Sequence, residues 1–78
     1  MEHKSLSQYV KQMRKEYSLT QVELSEKSGV GLRFVRELEQ GKQSMRMDKV
    51  NQVLNLFGAE LGPVPMHTTK ENLAKINF

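Results

Sequence analysis

Three glycines limit what this chain can fold into. Gly29, Gly41 and Gly58 each follow a stretch with helical periodicity, where a glycine readily takes the positive φ that stops a helix. With breakers at that spacing no long helix is possible, so the chain must fold as several short helices packed on one another. The helix starts are marked as well. Ser5 with Gln8, and Thr20 with Glu23, are capping-box pairs. In each, the hydroxyl accepts from the amide three residues on, and the longer side chain there reaches back to the N–H of the cap.

Between these marks the apolar residues recur at steps of three and four, the period of a one-sided helix. Leu6, Tyr9, Val10, Met13 and Tyr17 define a first helix that ends between Glu16 and Ser18, with Lys4, Lys11 and Lys15 on its other side as a basic stripe that is either a solvated face or an approach to phosphate. Thr20 opens a second, short helix closed by Ser28 and Gly29. Val30 then turns inward, and a third helix runs from about Gly31 to Gln40 with Val35 and Leu38 on its inner face. The polar loop Lys42-Gln43-Ser44 leads to a fourth helix, Met47 to Phe57. Met47, Val50, Val53, Leu54 and Phe57 form its stripe, and Asp48 suits the positive end of its dipole. Beyond Gly58, Leu61, Val64 and Met66 alternate among two prolines, which allows a short edge strand up to Gly62 but not a central one. The expected organisation is an all-α domain of four to five short helices over 1–58, a strand or dimerisation segment over 59–66, and a flexible or weakly helical tail over 67–78.

A chain of 78 residues holds one core and buries little surface, so a second subunit is expected to help stabilise it. There is no cysteine, which rules out disulfides and thiolate zinc sites and fits a reducing, cytoplasmic setting. No apolar run approaches the roughly 20 residues of a membrane span, and the start of the chain does not read as a signal peptide. The excess of 12 Lys and Arg over 9 Asp and Glu, a net +3, suits a polyanionic partner without requiring one. Nothing points to an enzyme. His3 and His67 lie near opposite ends, and no metal-binding pattern or glycine-rich phosphate loop occurs, so no catalytic residue, metal or cofactor is expected.

Two short helices joined by a tight glycine-containing turn leave the second of them exposed. The major groove of B-DNA, about 12 Å wide, admits one such helix. The positions of the third helix outside its inward set are Gly31, Leu32, Arg33, Arg36 and Glu37.

Leu19-Thr20-Gln21-x-Glu23-Leu24-Ser25-x-x-Ser28-Gly29-Val30, continuing to Phe34-Val35-x-x-Leu38-Glu39-x-Gly41-Lys42, resembles the phage repressor/Cro-type (Xre) helix-turn-helix family. Within that family, Arg46-Met47-Asp48-Lys49-Val50 followed by Phe57-Gly58-Ala59-Glu60-Leu61 resembles HipB-like antitoxins. The resemblance covers residues 5 to 62. It implies a repressor-like bundle whose edge strand pairs across a two-fold homodimer, bound to a palindromic double-stranded operator. It further implies autoregulation of a type II toxin-antitoxin operon and binding of a HipA-like kinase toxin. A stand-alone phage-type or restriction-controller regulator remains open, as does an interaction module that mainly neutralises a partner enzyme.

Carried over position by position, the resemblance implies that Leu32 and Arg33 read bases. Arg33 would donate two bonds to guanine O6 and N7, and Leu32 could only pack on a thymine methyl. Arg36 meets base or phosphate, and Glu37 either accepts from cytosine N4 or pairs with Arg33 one helical turn away. Gln21, Lys42, Ser44 and Arg46 anchor to phosphates, which gives affinity without sequence information, and Gln21 also braces the third helix. Arg14 and Glu39 form a structural salt bridge, Phe57 and Leu61 serve dimerisation, and Phe34 packs on the core or the dimer. One departure stands out: Gly31 occupies the place of the usual hydroxyl cap and removes a side chain that often contacts DNA.

Overall fold

The computed structural model describes residues 5–63. They form four helices: α1 Leu6–Glu16, α2 Gln21–Ser28, α3 Leu32–Glu39 and α4 Met47–Leu56. Both capping boxes are closed. Ser5 Oγ accepts from the Gln8 amide at 3.3 Å while the Ser5 amide donates to Gln8 Oε1 at 3.1 Å. The corresponding distances for Thr20 and Glu23 are 3.1 and 2.9 Å.

Helices α1, α3 and α4 end in the same way. The amides of Leu19, Lys42 and Ala59 donate back to the carbonyls of Arg14, Glu37 and Leu54, and the preceding amides donate to Lys15, Leu38 and Asn55. This is the Schellman arrangement, and its pivot residue must be left-handed. Gly41 and Gly58 supply φ of 85° and 74°; at the end of α1 the pivot is Ser18, with φ 54°.

Helix α3 packs against α1 and α2, and α4 against α2. The core consists of Val10, Leu24, Val30, Val35, Leu38, Val50, Val53, Leu54 and Phe57, one or more residues from each helix and one from the α2–α3 turn. Two residues of the expected stripes lie elsewhere. Met47 is 67 % exposed because it is the first residue of α4, where the stripe runs past the core. Tyr17 is 53 % exposed and instead sets its ring edge-on to Phe57, with centroids 5.2 Å apart.

Residues 59–63 form neither helix nor strand, and among the described residues there is no strand. The segment is nevertheless tied down. The Leu61 amide donates to Asn51 Oδ1 at 2.7 Å, and Ala59 and Leu61 pack against the core. The rest of the expected strand segment and the tail over 67–78 lie outside the described residues. Among those described, no helix is long and apolar enough to cross a membrane.

Candidate nucleic-acid interface

The α2–α3 connection is fixed by short side-chain bonds. Gly29 takes φ 83° and its amide donates to the Ser25 carbonyl, closing α2. Ser25 Oγ then donates to the Val30 carbonyl at 2.6 Å, and Ser28 Oγ to the Leu24 carbonyl at 2.6 Å. With Val30 buried, the turn can neither slide nor open without leaving carbonyl groups unpaired. Gly31 caps α3 in extended conformation and makes no side-chain cap bond.

A second device fixes the angle of α3. Arg14 Nε donates to Glu39 Oε2 at 2.7 Å and Nη2 to Glu39 Oε1 at 3.0 Å, a two-pronged bridge from α1 to the last turn of α3. Its Nη1 donates to the Leu19 carbonyl at 2.9 Å, so each of its three nitrogens is engaged. Glu39 is 3 % exposed, and its Oε1 also accepts from Gln21 Nε2 at 3.3 Å. Gln21, the first residue of α2, is half-buried and attached to the brace.

The outer face of α3 is basic. Arg33 is 93 % exposed, and Arg36 is exposed with no ion pair among the described residues. Leu32 is half-buried. Glu37 joins two cations: its Oε1 accepts from Arg33 Nε at 3.1 Å and its Oε2 from Lys42 Nζ at 3.0 Å. Those bonds, the one from Lys42 first, hold the Glu37 carboxyl below its ordinary value.

Beside this face lies an open depression of about 200 Å³, lined by Phe34 and Met45, the cations Lys42, Arg46 and Lys49, Ser44, and the carboxylate Glu37. Ser44 is exposed. Arg46 bonds Asp48 through Nη2 at 2.7 Å and Nε at 3.2 Å, and these bonds hold the Asp48 carboxyl below its usual range. Phe34 is partly buried against the core, with Lys49 Nζ 6.0 Å from its ring centroid. Of the two residues expected at a dimer contact, Phe57 is only 7 % exposed within a single chain, whereas Leu61 is half-buried.

The roles of three residues in this arrangement escaped sequence reasoning. Lys49 stands three residues after Arg46, one helical turn on, and that spacing was the available signal. Ser25 and Asn51 act through backbone atoms five and ten residues away; Ser25 belongs to the helix-turn-helix pattern, but residue spacing announces neither bond.

Residues 10–63 match the family model described as Helix-turn-helix, a span that takes in the Arg14–Glu39 brace and all of α2, α3 and α4. The chain belongs to the helix-turn-helix family. Over 52 residues it is 46 % identical to the uncharacterized HTH-type transcriptional regulator y4mF of Sinorhizobium fredii (strain NBRC 101917 / NGR234), covering 67 % of this chain and 68 % of that one. In helix-turn-helix terms α2 and α3 are the paired helices, and Arg33, Arg36 and Glu37 stand on the outer face of the second.

Proposed function

We propose that this helix-turn-helix protein is a sequence-specific DNA-binding transcriptional regulator, not an enzyme. The observation that carries the reading is α3 itself: a helix held rigidly by a closed turn and a buried ion pair, with a fully exposed arginine and a second exposed arginine on its outer side. A braced helix end and exposed donors are what groove entry requires. Similarity to the S. fredii HTH-type transcriptional regulator supports the same reading. Arg33 donates to guanine, Arg36 meets base or phosphate, and Leu32 has at most an apolar contact to give. Lys42, Ser44 and Arg46 line the depression where a phosphate would lie, and Gln21 meets a phosphate from the α2 end.

The test is a mobility shift of a duplex from the protein's own upstream region against random duplex, repeated at several salt concentrations. Tighter binding to the upstream duplex, with log affinity falling linearly against log salt, supports the reading. Equal affinity for both duplexes overturns it.

Within that reading the protein is a dimeric repressor and the antitoxin of a type II pair that binds a HipA-like kinase. The support is the resemblance of residues 46–50 and 57–61 to HipB-like antitoxins and the anchoring of Leu61 to Asn51, which holds the 59–66 segment against the core where it starts. Domain 1–58 then binds DNA, 59–66 pairs with its two-fold mate, and 67–78 is the segment left for the toxin. Co-purification of a kinase encoded beside this chain supports the antitoxin role. Autorepression with no such neighbour leaves the stand-alone regulator.

A further inference from the structure

We infer that Glu37 is a positioning residue that aims Arg33, so that the base preference of α3 depends on a side chain that touches no base. The inference rests on the DNA-binding reading above. Its basis is the difference between the two arginines that meet a glutamate. Arg14 presents Nε and Nη2 to Glu39 and Nη1 to a carbonyl, so each of its three nitrogens is engaged within the chain. Arg33 gives Glu37 only its Nε, and its Nη1 and Nη2 make no hydrogen bond to the described residues. Two terminal N–H groups in one plane are what guanine O6 and N7 accept.

An unsupported arginine at 93 % exposure samples many rotamers and can also donate side-on through Nε and Nη2. With Nε held by the carboxylate, the end-on presentation remains. Glu37 is itself restrained: it is 27 % exposed, and Lys42 Nζ holds its other oxygen at 3.0 Å. The chain of contacts thus runs from the loop after α3, through Lys42 and Glu37, to the tip of Arg33. Once the helix enters the groove and water leaves, this bonding strengthens as the local dielectric falls. An acid on a face that approaches a polyanion weakens binding to every duplex, so its benefit has to appear in discrimination.

The experiment uses a duplex selected by the full chain from a randomised pool, and the same duplex with each guanine replaced in turn. The wild type, Glu37→Gln, Arg33→Ala and the double variant are compared, with far-ultraviolet circular dichroism confirming equal helix content. In the wild type one guanine replacement per half-site weakens binding by roughly tenfold or more, and Arg33→Ala abolishes that penalty. Glu37→Gln is expected to reduce the penalty at that same guanine at least about threefold while affinity for random duplex holds or rises. In the Arg33→Ala background it is expected to change no base preference. An unchanged penalty in Glu37→Gln overturns the inference. So does a preference change that persists without Arg33, which would make Glu37 a direct reader of cytosine. A wild type that selects no sequence from the pool fails earlier and overturns the DNA-reading function itself.

Discussion

Removing the Arg14 guanidinium would leave a carboxylate that is 3 % exposed with only the Gln21 amide, at 3.3 Å, as a donor. A buried charge stripped of its partner is far more costly than the loss of a surface pair, on the order of 3 kcal/mol or more. In a domain of this size that corresponds to a fall of roughly 12 °C or more in Tm. Arg14→Ala is therefore expected to melt much earlier than the wild type, by differential scanning calorimetry, and to lose more in stability than in base preference. An unchanged Tm would remove the brace from the account. The partners Arg14 and Glu39 were legible only through the family resemblance, since nothing in their local spacing links residues 25 apart. The third member, Gln21, was expected both on a phosphate and as a brace for the third helix; its amide donating to Glu39 is the bracing contact, although which residue it would meet depends on how α2 meets α3. The bonds of Ser25 and Asn51 were illegible for the same reason, because each is to a backbone atom whose position the turn or the segment after α4 decides.

At the scale of helices, the starts and stops were mostly open to reading, and the one unmarked stop shows why. Gly41 and Gly58 announce left-handed pivots, whereas α1 ends in the same hydrogen-bond pattern on Ser18, and a serine does not advertise φ 54°. An L side chain in that region is strained by roughly 1–2 kcal/mol, partly offset by the greater freedom a glycine loses on folding. Ser18→Gly is thus expected to be slightly stabilising, by about 0.5 kcal/mol. Gly29→Ala at φ 83° is expected to destabilise by about 1 kcal/mol or more through strain alone. The added Cβ would meet only Gln52 Nε2 at 3.6 Å, an ordinary contact. Denaturant midpoints should move in opposite directions; the same sign for both would refute the common cause. The start of α2 has its own pH dependence. Hydrogen bonding to Thr20, its backbone amide foremost, holds the Glu23 carboxyl below its ordinary 4.5. A lowered folded value means the contribution is present above about pH 4.5 and is lost as pH falls through the folded value. Glu23→Gln keeps an acceptor for the Thr20 amide, so its Tm should fall less steeply with acid than that of the wild type. Parallel acid profiles would remove Glu23 from the acid response.

For the whole molecule, the small core was legible because valines and leucines at helical spacing have few places to go, and Val10, Val35, Leu38, Val50, Val53 and Leu54 are all buried. The strand expected past Gly58 is not formed over residues 59–63, and an edge strand of the kind proposed would need a second chain to pair with. Phe57, at 7 % exposure and edge-on to Tyr17, is already spent on the chain's own core, so the proposed dimer would have to draw on Leu61 instead. Two-fold pairing there would set two copies of α3 about 34 Å apart, one turn of B-DNA, facing the same side of the duplex. That geometry makes a demand on the DNA that can be tested without altering the protein. On a duplex selected by the wild type, inserting about five base pairs between the half-sites turns one of them to the far side of the helix. Binding should then fall to the level of an isolated half-site, while light scattering of the protein alone at micromolar concentration should still give the mass of two chains. A monomer in solution whose affinity ignores the insertion would mean that each α3 reads DNA on its own, and that the segment after Gly58 serves another purpose.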